Sequence, residues 1–63
     1  MKYYKIKTIL KGKELFFLSD YGLFSGKYFT TYKGRKAACD GLEYAKKCAS
    51  SQEMLDNLEI VEV

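Results

Sequence analysis

Apolar and polar positions alternate along the N-terminal stretch in a way that predicts a β-hairpin. Lys2–Leu10, rich in Tyr, Ile and Thr with a period of two, reads as a strand. Lys11-Gly12-Lys13-Glu14 reads as a tight turn, with Gly12 at the first central position of a two-residue type II′ loop. Leu15–Ser19 is then the returning strand. This register sets Lys11 opposite Glu14, Leu10 opposite Leu15, Ile9 opposite Phe16, Thr8 opposite Phe17 and Lys5 opposite Asp20. The Lys11–Glu14 and Lys5–Asp20 pairs would be favourable cross-strand neighbours. One face carries Tyr4, Ile6, Thr8, Leu10, Leu15 and Phe17, and the other Tyr3, Lys5, Lys7, Ile9, Phe16 and Leu18. A slip of one residue would exchange the faces of one strand.

Asp20–Gly26, with two glycines and three large apolar or aromatic residues, reads as a loop. Leu23 and Phe24 either plug the end of the core or, with Tyr21 and Phe24 as anchors, form a binding loop. Lys27–Lys33 alternates again and predicts a third strand, with Tyr28, Thr30 and Tyr32 on one side. The period then changes. Ala38, Gly41, Leu42, Ala45, Cys48 and Ala49 recur at helical spacing, so a helix starts after Gly34 as its N-cap. Its apolar stripe is built of small residues, which lets it lie close to a sheet. Ser50 with Glu53 forms a capping-box pattern and predicts either a second short helix, about Ser51–Asn57, or an irregular continuation of the first. Leu58–Val63 reads as a closing strand.

The order β-β-β-α-β predicts a single α+β domain spanning residues 1–63, with a small, mostly antiparallel sheet and the main helix across one face. A strand–helix–strand crossover makes the last strand parallel to the third, and hence to the first. Its natural berth is beside the first strand, giving the sheet order 4-1-2-3.

Composition narrows the chemistry. The chain has no His, so the usual general base and the commonest metal ligand are both missing. Cys39 and Cys48 are separated by ~13 Å along a helix and lie on opposite sides, too far apart to bridge. Two unpaired thiols suit a reducing cytosol. With no base, ligand cluster or Gly-rich phosphate loop, we expect neither an enzyme nor a cofactor or metal site, and no small-molecule substrate is evident. No apolar run is long enough for a signal peptide or membrane span, so the expected location is the cytoplasm. The net charge of +3 is unevenly spread: residues 1–36 hold nine basic and two acidic residues, residues 37–63 two basic and six acidic. Such polarity marks an anionic partner or self-complementary packing.

Lys2-Tyr3-Tyr4-Lys5-Ile6, Tyr32-Lys33-Gly34 with Ala37-Ala38, and Asn57-Leu58-Glu59-Ile60-Val61-Glu62-Val63 together form a pattern covering most of the chain. In this it resembles the short uncharacterised proteins of phages and mobile elements in low-GC Gram-positive bacteria, where Ser or Thr usually fills the position of Gly34. The resemblance implies an accessory or regulatory protein, placed in the host-cell cytoplasm, and assigns no residue a role. In architecture, three antiparallel strands backed by a helix are similar to DNA-binding domains of a plant transcription-factor class and of some phage integrases, which read the major groove with the open sheet face.

One helix covers one sheet face, so the other is the first candidate site. It carries Tyr3, Lys5, Lys7, Ile9, Phe16 and Leu18, with Phe29, Thr31 and Lys33 from the third strand. The competing expectation is that the second helix, the loop or the C-terminus folds over it. Gly34, Arg35 and Lys36 form a second candidate, since two cations in a first helical turn oppose the dipole and an incoming anion would relieve them. The unblunted last strand is a third, as an edge for self-pairing. We therefore expect a non-catalytic module that binds a protein partner, a host factor it regulates or inhibits, or a second copy of itself. The alternative is nucleic-acid binding through the basic, aromatic sheet and the Gly34-Arg35-Lys36 terminus.

Overall fold

Every other strand of the sheet but one pairs with β1 (Tyr3–Leu10), and both helices pack on it. The computed structural model describes residues 2–63. β2 (Lys13–Leu18) returns antiparallel after a turn whose central residues are Lys11, at φ 53°, and Gly12, at φ 78°. Positive φ at both positions is the type I′ signature, which matches the right-handed twist of the strands it joins. The expected II′ turn is thus replaced, and the register moves by two residues: Leu10 faces Lys13, Ile9 faces Glu14, Thr8 faces Leu15 and Lys7 faces Phe16. An even shift leaves every side chain on its expected face. The ion pairs change with it. Glu14 pairs with Lys7 at 3.4 Å, and the Lys11 backbone N–H donates to Glu53 Oε2 at 3.0 Å.

The stretch expected as a loop contains β3 (Leu23–Ser25), antiparallel to β2 with Phe24 opposite Phe17. The Tyr21 and Gly22 N–H groups close the hairpin on the Leu18 carbonyl at 3.2 and 2.9 Å. With the outer edge of β2 taken by β3, Lys27–Lys33 cannot pair there. Of the expected third strand only β4 (Tyr32–Lys33) forms, and it pairs with β1. Lys7 faces Phe16 on one side and Glu59 on the other; Tyr4 faces Tyr32 on one side and Glu62 on the other. β2 and β4 therefore share one edge of β1. Thr30 fills the fork where β2 diverges, its N–H donating to the Phe17 carbonyl (3.1 Å) and its Oγ1 accepting from the Ser19 N–H (3.0 Å).

Gly34 caps α1 (Arg35–Cys48) with φ 86°, a conformation open to glycine and strained for the Ser or Thr otherwise preferred there. The helix stripe falls as expected, with Ala38, Gly41 and Ala45 buried and Leu42, Cys48 and Ala49 half-buried. Gly41 is where helix and sheet come closest. A methyl group there would stand 2.5 and 2.6 Å from two ring carbons of Tyr32 and 3.0 Å from Ile6 Cδ1. The core is Ile6, Phe17, Tyr32, Ala38 and Ala45, with Tyr4, Phe24, Leu42, Leu58 and Ile60 around it.

α2 (Gln52–Asp56) is capped by Ser51, whose Oγ accepts from the Met54 N–H at 3.3 Å. The expected Ser50–Glu53 box does not form, because Glu53 reaches the hairpin turn instead. Met54 is buried and its carbonyl accepts the Thr8 hydroxyl at 2.6 Å, which fixes α2 on the same face as α1. β5 (Glu59–Glu62) lies beside β1 as expected but runs antiparallel to it. The crossover rule still holds, since β4 and β5 are both antiparallel to β1 and so parallel to each other. The direction differs from the expected one because the third predicted strand pairs with β1 and not with β2. The main order is β5-β1-β2-β3, the expected 4-1-2-3 with β3 in the third strand's place.

Candidate functional site: the open sheet face

Strand alternation sends Tyr3, Lys5, Lys7 and Ile9 of β1 away from the helices, with Glu14, Phe16 and Leu18 of β2 beside them. Pairing adds Leu23 next to Leu18, Lys33 next to Tyr3, and Glu59 and Val61 next to Lys7 and Lys5. Among the described residues, neither helix packs on this face. Phe29 folds partway over it from the β3–β4 connection, its ring against that of Phe16. That connection is held at one end by Ser25 Oγ, which accepts the Lys27 and Tyr28 N–H groups at 3.1 Å, and at the other by Thr30.

The centre of the face is an aromatic and cationic cluster. The Phe16 and Phe29 rings lie 5.8 Å apart at 60°, and Lys5 Nζ stands 4.4 Å and 4.5 Å from their centroids. Two ring quadrupoles attract one ammonium and hold it in place. Lys7 is paired with Glu14 and also lies opposite Glu59. Among the described residues, no carboxylate pairs with Lys5 or Lys33. Around this centre Ile9, Leu18 and Val61 are half-buried, and Leu23 (48% exposed) and Phe29 (37%) continue the apolar surface to its edge. Of the nine residues predicted for the face, Tyr3, Lys5, Lys7, Ile9, Phe16, Leu18, Phe29 and Lys33 are brought together on it, whereas Thr31 lies exposed in the β3–β4 connection, outside any strand. Leu23 and Val61 were missed. The alternation of Glu59–Val63 was the available signal for Val61, whereas Leu23 required recognition of the second hairpin.

The two loop candidates separate. Tyr21 is exposed at the hairpin tip, while Phe24 turns inward and packs its ring 5.0 Å from that of Phe17. The helix terminus is also less open than expected. Lys36 reaches Asp40 at 3.8 Å, and the Arg35 guanidinium lies 5.7 Å from the centre of the Tyr4 ring. The Gly34 N–H donates to the Lys2 carbonyl. On the covered side, a cleft of about 320 Å³ opens between the β2–β3 hairpin and the helix junction, lined by Leu10, Leu15, Phe24, Cys48 and Met54 among others. No charged residue lines it, so it has no strong polar anchor for a ligand.

Buried in the core, the Tyr32 hydroxyl lacks a hydrogen bond of good geometry. Burial pushes its pKa above the ordinary value near 10.0; nearby Ser19 opposes the shift and the Asp20 charge adds to it. Both cysteines are free. Among the described residues, no three Cys, Asp or Glu side chains gather where a metal could be held, and no helix is long and apolar enough to cross a membrane. The chain matches no protein-family model, no curated protein and no solved structure.

Proposed function

We propose that this chain is a non-catalytic protein-binding module that uses its open sheet face, in an accessory role that regulates or inhibits a host protein. The observation that supports this most is how the face spends its charge. Two of its three lysines are already engaged, Lys7 by Glu14 and Lys5 by two aromatic rings. Glu14 and Glu59 together set two carboxylates against the three lysines, so the face is not a basic stripe of the kind that tracks a phosphate backbone. It is an aromatic and aliphatic field with a polar rim, the composition that favours a protein surface.

The reading is tested by immobilising the wild type and a Leu18→Asp, Phe29→Ala variant in host lysate, with and without nuclease. A protein retained by the wild type, indifferent to nuclease and lost with the variant is the expected result. Capture that disappears on nuclease treatment would transfer the function to nucleic acid.

A further inference from the structure

Building on that reading of the open face, we propose that its protein partner inserts an acidic side chain, set among apolar ones, onto the ammonium of Lys5. Lys5 stands at the middle of the face, opposite Val61 across the strand pair and flanked by the Phe16 and Phe29 rings. The rings hold the ammonium but accept none of its three N–H donors strongly. Among the described residues no carboxylate serves it, whereas Lys2, Lys7, Lys36 and Lys46 each have one. Glu14 and Glu59, the acids of the face, lie toward Lys7.

In the free protein this arrangement costs little, because Lys5 is only half-buried and water reaches it. Docking an apolar surface over Ile9, Phe16, Leu18 and Phe29 would remove that water. A cation desolvated without a counter-charge is expensive, and one met by a carboxylate held at its three donors is not. The site therefore rejects a purely apolar or a basic surface and selects an apolar one carrying an acid, which is discrimination through a penalty on the wrong partner. Lys33 at the rim, also without a carboxylate among the described residues, adds attraction at longer range.

The test pans a random peptide display library against the immobilised wild-type protein and measures affinities of the selected peptides by fluorescence anisotropy. Peptides with Asp or Glu between aromatic or aliphatic residues should be enriched. For the best of them, Lys5→Met should weaken binding at least about tenfold. Replacing the peptide's acid by its amide should have the same effect, and the two changes together should add little to either alone. Lys5→Met keeps the side chain's apolar stem, and a urea titration checks that the variant is folded. Selected peptides that lack an acid, or that bind Lys5→Met as tightly as wild type, would overturn the inference. Leu18→Asp separates this outcome from failure of the parent reading. If Leu18→Asp removes binding while Lys5→Met does not, the face binds protein and only the acidic contact is wrong. If Leu18→Asp leaves binding intact, the open face is not the site. A fluorescent oligothymidylate completes the set: tighter binding of it than of any peptide, dependent on Lys5, would assign the anion to a nucleic acid and overturn the proposal.

Discussion

β1 presents two faces that differ in nearly everything except their origin in the same eight residues. On the covered face Ile6 and Thr8 are fully buried, and the Thr8 hydroxyl is matched at 2.6 Å by the Met54 carbonyl. On the open face Lys5 and Lys7 are held by an aromatic pair and by a surface carboxylate, contacts that water and salt weaken. The covered face supplies the stability of a domain whose core is near the minimum for independent folding. On the proposed function, the open face is then the part available for contact with a partner. Neighbouring phenylalanines make the sharpest comparison. Phe17→Ala, on the covered side, should cost about 3–5 kcal/mol and leave little folded protein. Phe16→Ala, on the open side, should cost about 1–2 kcal/mol, since it loses a half-exposed ring and its contacts with Phe29 and Lys5. Urea titrations followed by circular dichroism measure both, and equal losses would mean that the open face is also structural.

The covered face is limited by space as well as by burial, and Gly41 tests that. Alanine normally gains about 1 kcal/mol over glycine inside a helix. Here the added methyl would meet the Tyr32 ring at 2.5 Å, and overpacking of this kind costs about 1–3 kcal/mol. The ring is buried in the core between helix and sheet, so the steric cost should prevail. Gly41→Ala is expected to lower stability by up to about 2 kcal/mol net. A gain would show that the helix can ride outward and that the close approach is not required.

Tyr32 sharpens the comparison by a smaller amount and through pH. Its hydroxyl is buried without a good partner, an arrangement that costs the folded state about 1 kcal/mol. Tyr32→Phe should therefore be neutral or stabilising by up to about that much near pH 7. The sign of the pH effect follows from the raised pKa. The unfolded chain releases the phenol proton near pH 10, before the folded chain does, so unfolding is favoured as pH climbs from there through the folded value. The effect of Tyr32 on stability is therefore independent of pH below pH 10 and becomes progressively more unfavourable as pH rises from there through the folded value. The difference in stability between Tyr32→Phe and wild type should accordingly widen above pH 10. A difference that stays flat would mean that the hydroxyl reaches water or a partner.

The division into faces was legible in the sequence because alternation survives errors of pairing. The hairpin register was two residues off, yet an even shift returns Ile6, Thr8 and Phe17 to one side and Lys5, Lys7 and Phe16 to the other. The helix and its stripe were legible for a similar reason, since the spacing of Ala38, Gly41 and Ala45 is local. What could not be read was competition for edges. Lys27–Lys33 alternates well enough for a strand, but Leu23–Ser25, joined to β2 by a shorter loop, occupies that edge of it. Local pattern carries no information about which segment takes a given edge. The direction of β5 relative to β1 followed from that same error. Glu53 shows a further limit: its spacing from Ser50 fits a cap, and only the packed hairpin turn reveals the Lys11 N–H as its partner.

The smallest predicted effect lies at the corner where α1 begins. Two cations in its first turn oppose the helix dipole, and Arg35→Glu would by itself recover about 0.3–1 kcal/mol. The same substitution removes the guanidinium from the Tyr4 ring, 5.7 Å away, a contact worth about 0.5–1 kcal/mol at an exposed site. The two nearly cancel, so Arg35→Glu should change stability by less than about 0.5 kcal/mol at low salt. Arg35→Gln separates them, because it loses the ring contact without gaining a favourable charge. It should be the less stable of the two variants, with the gap closing as salt screens the dipole. If instead Glu and Gln are equal at every salt concentration, the dipole plays no part, and Arg35 is held there by the aromatic edge of the covered face alone.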